Sequence, residues 1–234
     1  DIDNDEFEMN FENMFDSPWS FDSGRGRLVY RIGEDSVSVT SGLIEMLEGD
    51  LSAYGKLSMN LPASRDLQTW GLTIGVEDVE LLAVDAYIPK PIPENLRSWI
   101  ESAVKGGRSN EAGVTVHGAL FRGSPIVRKA HDFYLKVENT EVEYHPDWPS
   151  VTDLSATIHI DNHQVLTNDA TGKVYSSDVA NIDVLVLIPD TGRADSVMVS
   201  ALLTGPFGDA IRTLQETPLA ETTANMAGQW SAEG

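Results

Sequence analysis

The sequence predicts a mainly β fold: an extended, twisted antiparallel sheet with one or two short amphipathic helices. The first reason is strict apolar alternation in run after run. In the longest run, Leu51, Ala53, Gly55, Leu57, Met59 and Leu61 alternate with Ser52, Tyr54, Lys56, Ser58 and Asn60, one side apolar and the other polar apart from the tyrosine. The second is the spacing of turn signals, which separate these runs at the short intervals of a meander. The third is the scarcity of helical periodicity. Two short helices are too few to cover both faces of a parallel sheet.

The elements follow in order. Residues Asp1 to Asn13 are acidic, with Phe7, Met9 and Phe11 alternating, as in a strand or an arm that pairs with one. Leu28, Tyr30 and Ile32 alternate, as do Val37 and Val39, and Leu72, Ile74 and Val76. A helix is expected within Pro93 to Lys105, because Leu96, Trp99, Ile100, Ala103 and Val104 recur at helical spacing. Pro93 and Glu94 suit its first turn, Lys105 its last turn and Gly106 the position just beyond. After Gly113, Val114, Val116, Gly118 and Leu120 read as a strand, followed by Phe133, Leu135 and Val137 and then Val142 and Tyr144. Beyond the turn His145 to Pro149, Leu154, Ala156, Ile158 and Ile160 alternate with Ser155, Thr157, His159 and Asp161. Ile182, Val184, Val186 and Ile188 form another row; Leu185 and Leu187 make its second face apolar, the mark of a strand covered on both sides. Val197, Val199, Ala201 and Leu203 close the series. A second helix is expected over Asp209 to Glu216, with Ala210, Ile211 and Leu214 inward, stopped at Thr217-Pro218. Segments 18–28 and 218–230 echo one another weakly, each running from a proline through polar residues to a glycine-led strand start.

Composition excludes several functions. The chain has 234 residues, with 16 basic against 37 acidic residues and a formal net charge of −21. Phosphate recognition needs clustered Lys and Arg, so nucleic acid is not a partner, and an anionic membrane surface is repelled. The absence of cysteine removes disulfides and thiolate metal sites. No membrane span is visible; the longest strongly apolar run is Val184 to Ile188. Without an initial Met, the chain reads as a section of a longer protein.

No catalytic constellation stands out, and an enzyme is not expected. His159, Asp161 and His163 share a face if their strand continues, but i to i+4 along a strand spans about 13 Å, too far for one metal. No serine lies in a nucleophile-elbow pattern. The Gly24-x-Gly26 pair opens a strand rather than a helix, so it makes no phosphate cradle. Arg25, Arg27 and Arg31 read as a solvated face, and Trp19 and Trp148, in proline-flanked turns, as packing anchors. No catalytic residue, metal or cofactor is expected.

Three segments together resemble the YhdP family of AsmA-like proteins: YIPKPIPENLRSWIESAVKGGRSNEAGVTVHGAL from Tyr87, FYLKVENTEVEYHPDWPSVTDLSATIHIDN from Phe133, and LLTGPFGDAIRTLQETPL from Leu202. A weaker likeness runs through PWSFDSGRGRLVY, and the order of the segments fits. The stretch RGSPIVRKAHD departs from the family pattern, as does the acidic surface. The resemblance implies a section of a bridge-type lipid transfer protein, anchored in the inner membrane by an N-terminal helix outside this chain. Its periplasmic part would form a long curved β-groove carrying phospholipid towards the outer membrane.

On that implication residues 1–86 are a β-sheet segment, 87–108 a helix-containing insertion, 109–207 a second β-sheet segment, and 208–234 a short helix with the start of a next strand. The expected partners are phospholipid acyl chains, with the inner and outer membranes reached through other parts of the protein. The candidate groove lining is Leu57, Val116, Leu120, Ile158, Ile160, Val184, Val186, Val197 and Val199. Leu96, Trp99, Ile100, Ala103 and Val104 would form a helix covering part of it. The same alternation also fits a structural or adhesive β-sandwich module with a closed core. The two differ in whether a large apolar face is left unpacked.

Overall fold

The computed structural model describes residues 1–10, 17–49, 51–81, 98, 102–121, 123–124, 130–161, 163–188 and 196–222. Among these, thirteen strands form one open antiparallel sheet: β1 (Ile2–Met9), β2 (Trp19–Gly26), β3 (Leu28–Ile32), β4 (Ser36–Ser41), β5 (Ile44–Glu48), β6 (Leu51–Pro62), β7 (Thr69–Glu80), β8 (Val104–Ala119), β9 (Ala130–Val142), β10 (Val151–Ile160), β11 (Gln164–Val174), β12 (Ser177–Leu187) and β13 (Ser196–Thr204). A helix, α1 (Phe207–Glu216), follows. Each strand pairs with its sequence neighbour from β5 to β13, which is a meander. β6 is long enough to serve two partners: Leu51 to Gly55 pair with β5, and Ser58 to Pro62 pair with β4 of the β3–β4 hairpin. β1 and β13 end the sheet without pairing to each other, so it does not close into a barrel.

The two ends differ in chemistry. β1 carries Asp3, Asp5, Glu6 and Glu8, a charged edge of the kind that discourages pairing with other chains. β13 reads SVMVSALLT, uncharged and exposed throughout.

A recurring irregularity keeps the apolar side chains on one face. Asp78, Asn139, Asp153, Asp169 and Asn181 have left-handed backbone, with φ between 50° and 59°. Asp and Asn tolerate this region better than most side chains. Around these residues the side-chain parity switches. In β9 the apolar side uses Phe133, Leu135 and Val137, then Thr140 and Val142; in β12 it uses Ser177 and Val179, then Ile182, Val184 and Val186. Without the extra residue, half of each strand would present its apolar set to the wrong side. These bulges step across neighbouring strands as a staggered crease, and a bulge bends and twists its strand.

Three sequence expectations need correction. β2, β5 and β11 are strands that the alternation did not single out, and Trp19 lies within β2 rather than in a turn. β8 begins at Val104, so Val104, Lys105 and Gly106 belong to the strand and not to the end of the preceding helix. Extended backbone prevails there because Val104 pairs with Val142 and Gly106 with Glu141. The outer face of β12 is open rather than covered: Leu187 is 43% exposed. The expected strand at Phe11 and the echo segment beyond Thr222 lie outside the described residues, as do Leu96, Trp99 and Ile100.

Buried side chains form two small clusters on one face. Trp19, Phe21, Met46, Ala53 and Ile74 make the first; Leu81, Val137, Ala156 and Ala170 make the second. In the second, the small side chains Ala156 and Ala170 leave room for Leu81, which follows β7. Ala103, fully buried, accepts a hydrogen bond at its carbonyl from Glu143 N (2.8 Å). The crossover between β7 and β8 thus packs at both of its described ends.

α1 is fastened at the β11–β12 turn. One Asp209 carboxylate oxygen accepts bonds from Ser176 N, Ser176 Oγ and Ser177 Oγ at 3.1, 2.7 and 2.7 Å. The hydroxyls of Ser176 and Ser177 hold the Asp209 carboxyl below its usual range. Arg212 stacks over the Tyr175 ring at 4.1 Å and bonds Glu216 at 2.8 Å. Gly205 is required beneath this joint, since a Cβ there would lie 2.7 Å from the Ser177 Cα.

Candidate functional site

Paired residues in an antiparallel sheet share a face, so strand register maps the surface directly. One ladder runs Ile44, Gly55, Ile74, Val114, Phe133, Ile160, Val165, Val186, Val197, crossing from β5 to β13 without a polar side chain. The parallel ladder Met46, Ala53, Val76, Ala112, Leu135, Ile158, Thr167, Val184, Val199 is interrupted only by Thr167. A shorter ladder joins Leu57, Leu72, Val116 and His131. The apolar surface is therefore continuous across the strands, over eight interstrand steps of about 4.8 Å each, or roughly 38 Å.

This register brings Leu57, Val116, Ile158, Ile160, Val184, Val186, Val197 and Val199 to one face of the sheet. Leu120 lies just past the end of β8, where its N–H donates to Gln68 O at 2.9 Å. Of the expected covering helix, Ala103 is buried and Val104 is in β8. Phe133, Leu135 and Val165 are equally central to the face and absent from the candidate lining. Val165 was missed because β11 carries Asn168, Asp169 and Lys173, which mask its alternation.

The face is incompletely covered. Ile158, Ile160, Val184 and Val186 are only half-buried, and Val197 and Val199 are 61% and 64% exposed. In a closed sandwich the inward positions of β10 to β12 would meet a second sheet; among the described residues there is no second sheet.

Polar chemistry lies elsewhere. Among the described residues no group of three or more His, Asp or Glu is placed to hold a metal ion. His159, Asp161 and His163 do not share a strand face, because β10 ends at Ile160 and Asp161 Oδ1 caps the turn, accepting from His163 N and Gln164 N at 2.7 and 2.9 Å. Burial pushes the Asp161 carboxyl up, but the bonds from His163 and Gln164 outweigh it and hold the group below its usual value. His131 lies on the apolar face, where burial lowers its pKa against the opposing pull of Asp161. No helix of the described residues is long and apolar enough to cross a membrane.

A family model described as YhdP protein matches residues 1–234, the whole chain. The chain belongs to the YhdP family. The three segments singled out in the sequence are thus part of a likeness that extends from end to end. YhdP is an envelope-associated lipid-transport family, and an open β-groove is the architecture that goes with it. No curated protein and no solved structure matches the chain.

Proposed function

We propose that this chain is a section of a periplasmic bridge-like phospholipid transfer protein, in which the apolar face of the sheet shields acyl chains in transit between the inner and outer membranes. The observation that carries this reading is the pair of apolar ladders that cross from β5 to β13 on an incompletely covered face. Membership of a lipid-transport family supports it.

The energetics favour a continuous surface over a specific site. A diacyl lipid leaving a bilayer exposes about 30 methylenes at ~0.8 kcal/mol each, so roughly 20 kcal/mol must be offset along the path. A row of Val, Ile, Leu and Phe side chains does this at every step, and each rung resembles the next, so no deep trap halts the lipid. Strands of 10 to 13 residues, such as β9 to β12, are about 33 to 43 Å long, enough to underlie acyl chains while head groups remain in water. The mechanism uses no catalytic group, metal or cofactor. The work of the protein is to keep one face apolar and accessible from strand to strand.

Ile158→Asp tests the reading against Thr157→Asp on the opposite face of β10. A carboxylate at Ile158 would be desolvated by each passing acyl chain at a cost of several kcal/mol. At Thr157 it would pair with Lys136, its neighbour in register. We expect Ile158→Asp to abolish phospholipid seen with the chain by native mass spectrometry and to block transport in the full-length protein, with the fold retained; Thr157→Asp should do neither. Unfolding of Ile158→Asp would favour a closed core, and unchanged lipid binding would remove this position from the path.

A further inference from the structure

The opposite face of the sheet should be polar throughout, and from β5 to β8 it largely is: Lys56, Thr73 and Thr115 are exposed there, with Thr73 Oγ1 and Thr115 Oγ1 3.2 Å apart. From β9 onward it changes character. The ladder Tyr134, His159, Leu166, Leu185, Met198 forms an apolar stripe on this outer face. Its tyrosine and histidine rings lie 5.2 Å apart. Leu187 and Leu202, on the same side of the sheet, are 43% and 58% exposed, and Met198 is 56% exposed. An acyl-chain path on the other face gives no reason for this stripe. It is also costly, since exposed apolar patches on a soluble surface promote association.

The borders of the stripe say what fits it. On one side are Asp132 and Asp161; on the other is Asp183, and among the described residues of β9 to β13 Lys136 is the one Lys or Arg in these flanking rows. At the Asp132 border there is an open cavity of about 320 Å³ lined by Asp132, His159, Asp161, Gln164, Leu166 and Asn168. Two carboxylates, two amides, an imidazole and a leucine at one indentation suit a cationic side chain with an aliphatic stem.

We propose that this outer stripe is a docking surface for a partner protein, through a segment that alternates apolar side chains with Lys or Arg and seats one cation in the Asp132–Asp161 cavity. The carboxylates repel anionic lipid head groups, so a membrane surface does not fit. A second copy of this chain brings a net charge of −21 against the same sign. The inference concerns the face opposite the acyl-chain path and stands or falls independently of it.

The test uses the chain with short fluorescein-labelled peptides read by anisotropy. A peptide alternating leucine with arginine should bind. Its serine–arginine counterpart, of equal charge, should bind at least about tenfold more weakly, as should the leucine–glutamate peptide. Leu187→Ser with Met198→Ser, both at exposed positions, should weaken the leucine–arginine peptide about tenfold, and Asp132→Asn should weaken it several-fold. Glu45→Gln, on the same face near the other end of the sheet, should leave it unchanged. Equal binding of the serine–arginine peptide, indifference to the stripe variants, or no binding at all would overturn the proposal. Binding to phosphatidylglycerol vesicles that is lost in the stripe variants would assign the surface to membrane instead. Dimerisation lost in the same variants, seen by sedimentation velocity, would assign it to a second copy.

Discussion

His131 is the one titratable ring on the apolar ladders, at the end of the row Leu57, Leu72, Val116. Burial favours its neutral form, which keeps that end of the face uncharged. Its folded pKa lies below the unfolded value of 6.5, so the unfolded chain takes up the proton first. The stabilisation tied to this residue is therefore complete above pH 6.5 and declines as pH falls through that value towards the lower folded one. His131→Leu should flatten the dependence of Tm on pH in this window and leave the neutral-pH fold intact. An unchanged pH profile would show that the ring gains its proton as readily folded as unfolded. The sequence displayed five histidines but not this distinction, because only the ladder from Val116 shows that His131 points to the apolar side.

At the scale of elements, the clean alternators were legible: β6, β7, β10 and β13 all appear where period-2 patterning placed them. Two of the failures share a cause. In β11 the alternation breaks at Asp169, and in β9 it breaks at Asn139, which made one strand look like two short runs. In β2, Gly24 and Gly26 stand where apolar side chains would have revealed the pattern. Gly24 is small for a packing reason, since a Cβ would collide with the Phe7 ring. The helix boundary failed differently: Lys105 and Gly106 are good local stop signals, but pairing with β9 extends the strand through them. The left-handed crease makes its own prediction. Asn139, exposed at φ 50°, should accept Gly with little change in stability, whereas Asn139→Val should cost about 1 to 3 kcal/mol, because a β-branched side chain is strained in that region. Urea denaturation of the two variants decides it; equal stabilities would mean that the bulge relaxes and does not fix the face.

For the whole molecule, the fold class and family were legible because neither rests on one site: alternation recurs along the chain, and three ordered segments lie within a family match that spans residues 1–234. The site was legible as a list but not as a surface. Single residues such as Ile158 and Val186 stand out by parity, yet their joining into ladders depends on bulges at Asp153, Asp169 and Asn181 that reset the register. The outer stripe was visible only as Leu185 and Leu187, which read as a doubly covered strand. The structure instead leaves them part of an open surface. The central claim is that acyl chains lie on the ladders. A phospholipid carrying a photoactivatable diazirine in its acyl chain tests it most directly, with labelled residues located by peptide mass spectrometry. The account predicts adducts at Ile158, Val184, Val186 and Val197 and none at Thr157, Asp183 or Leu185, their neighbours on the opposite face. Adducts distributed over both faces, or confined to the stripe of Leu166, Leu185 and Met198, would contradict it.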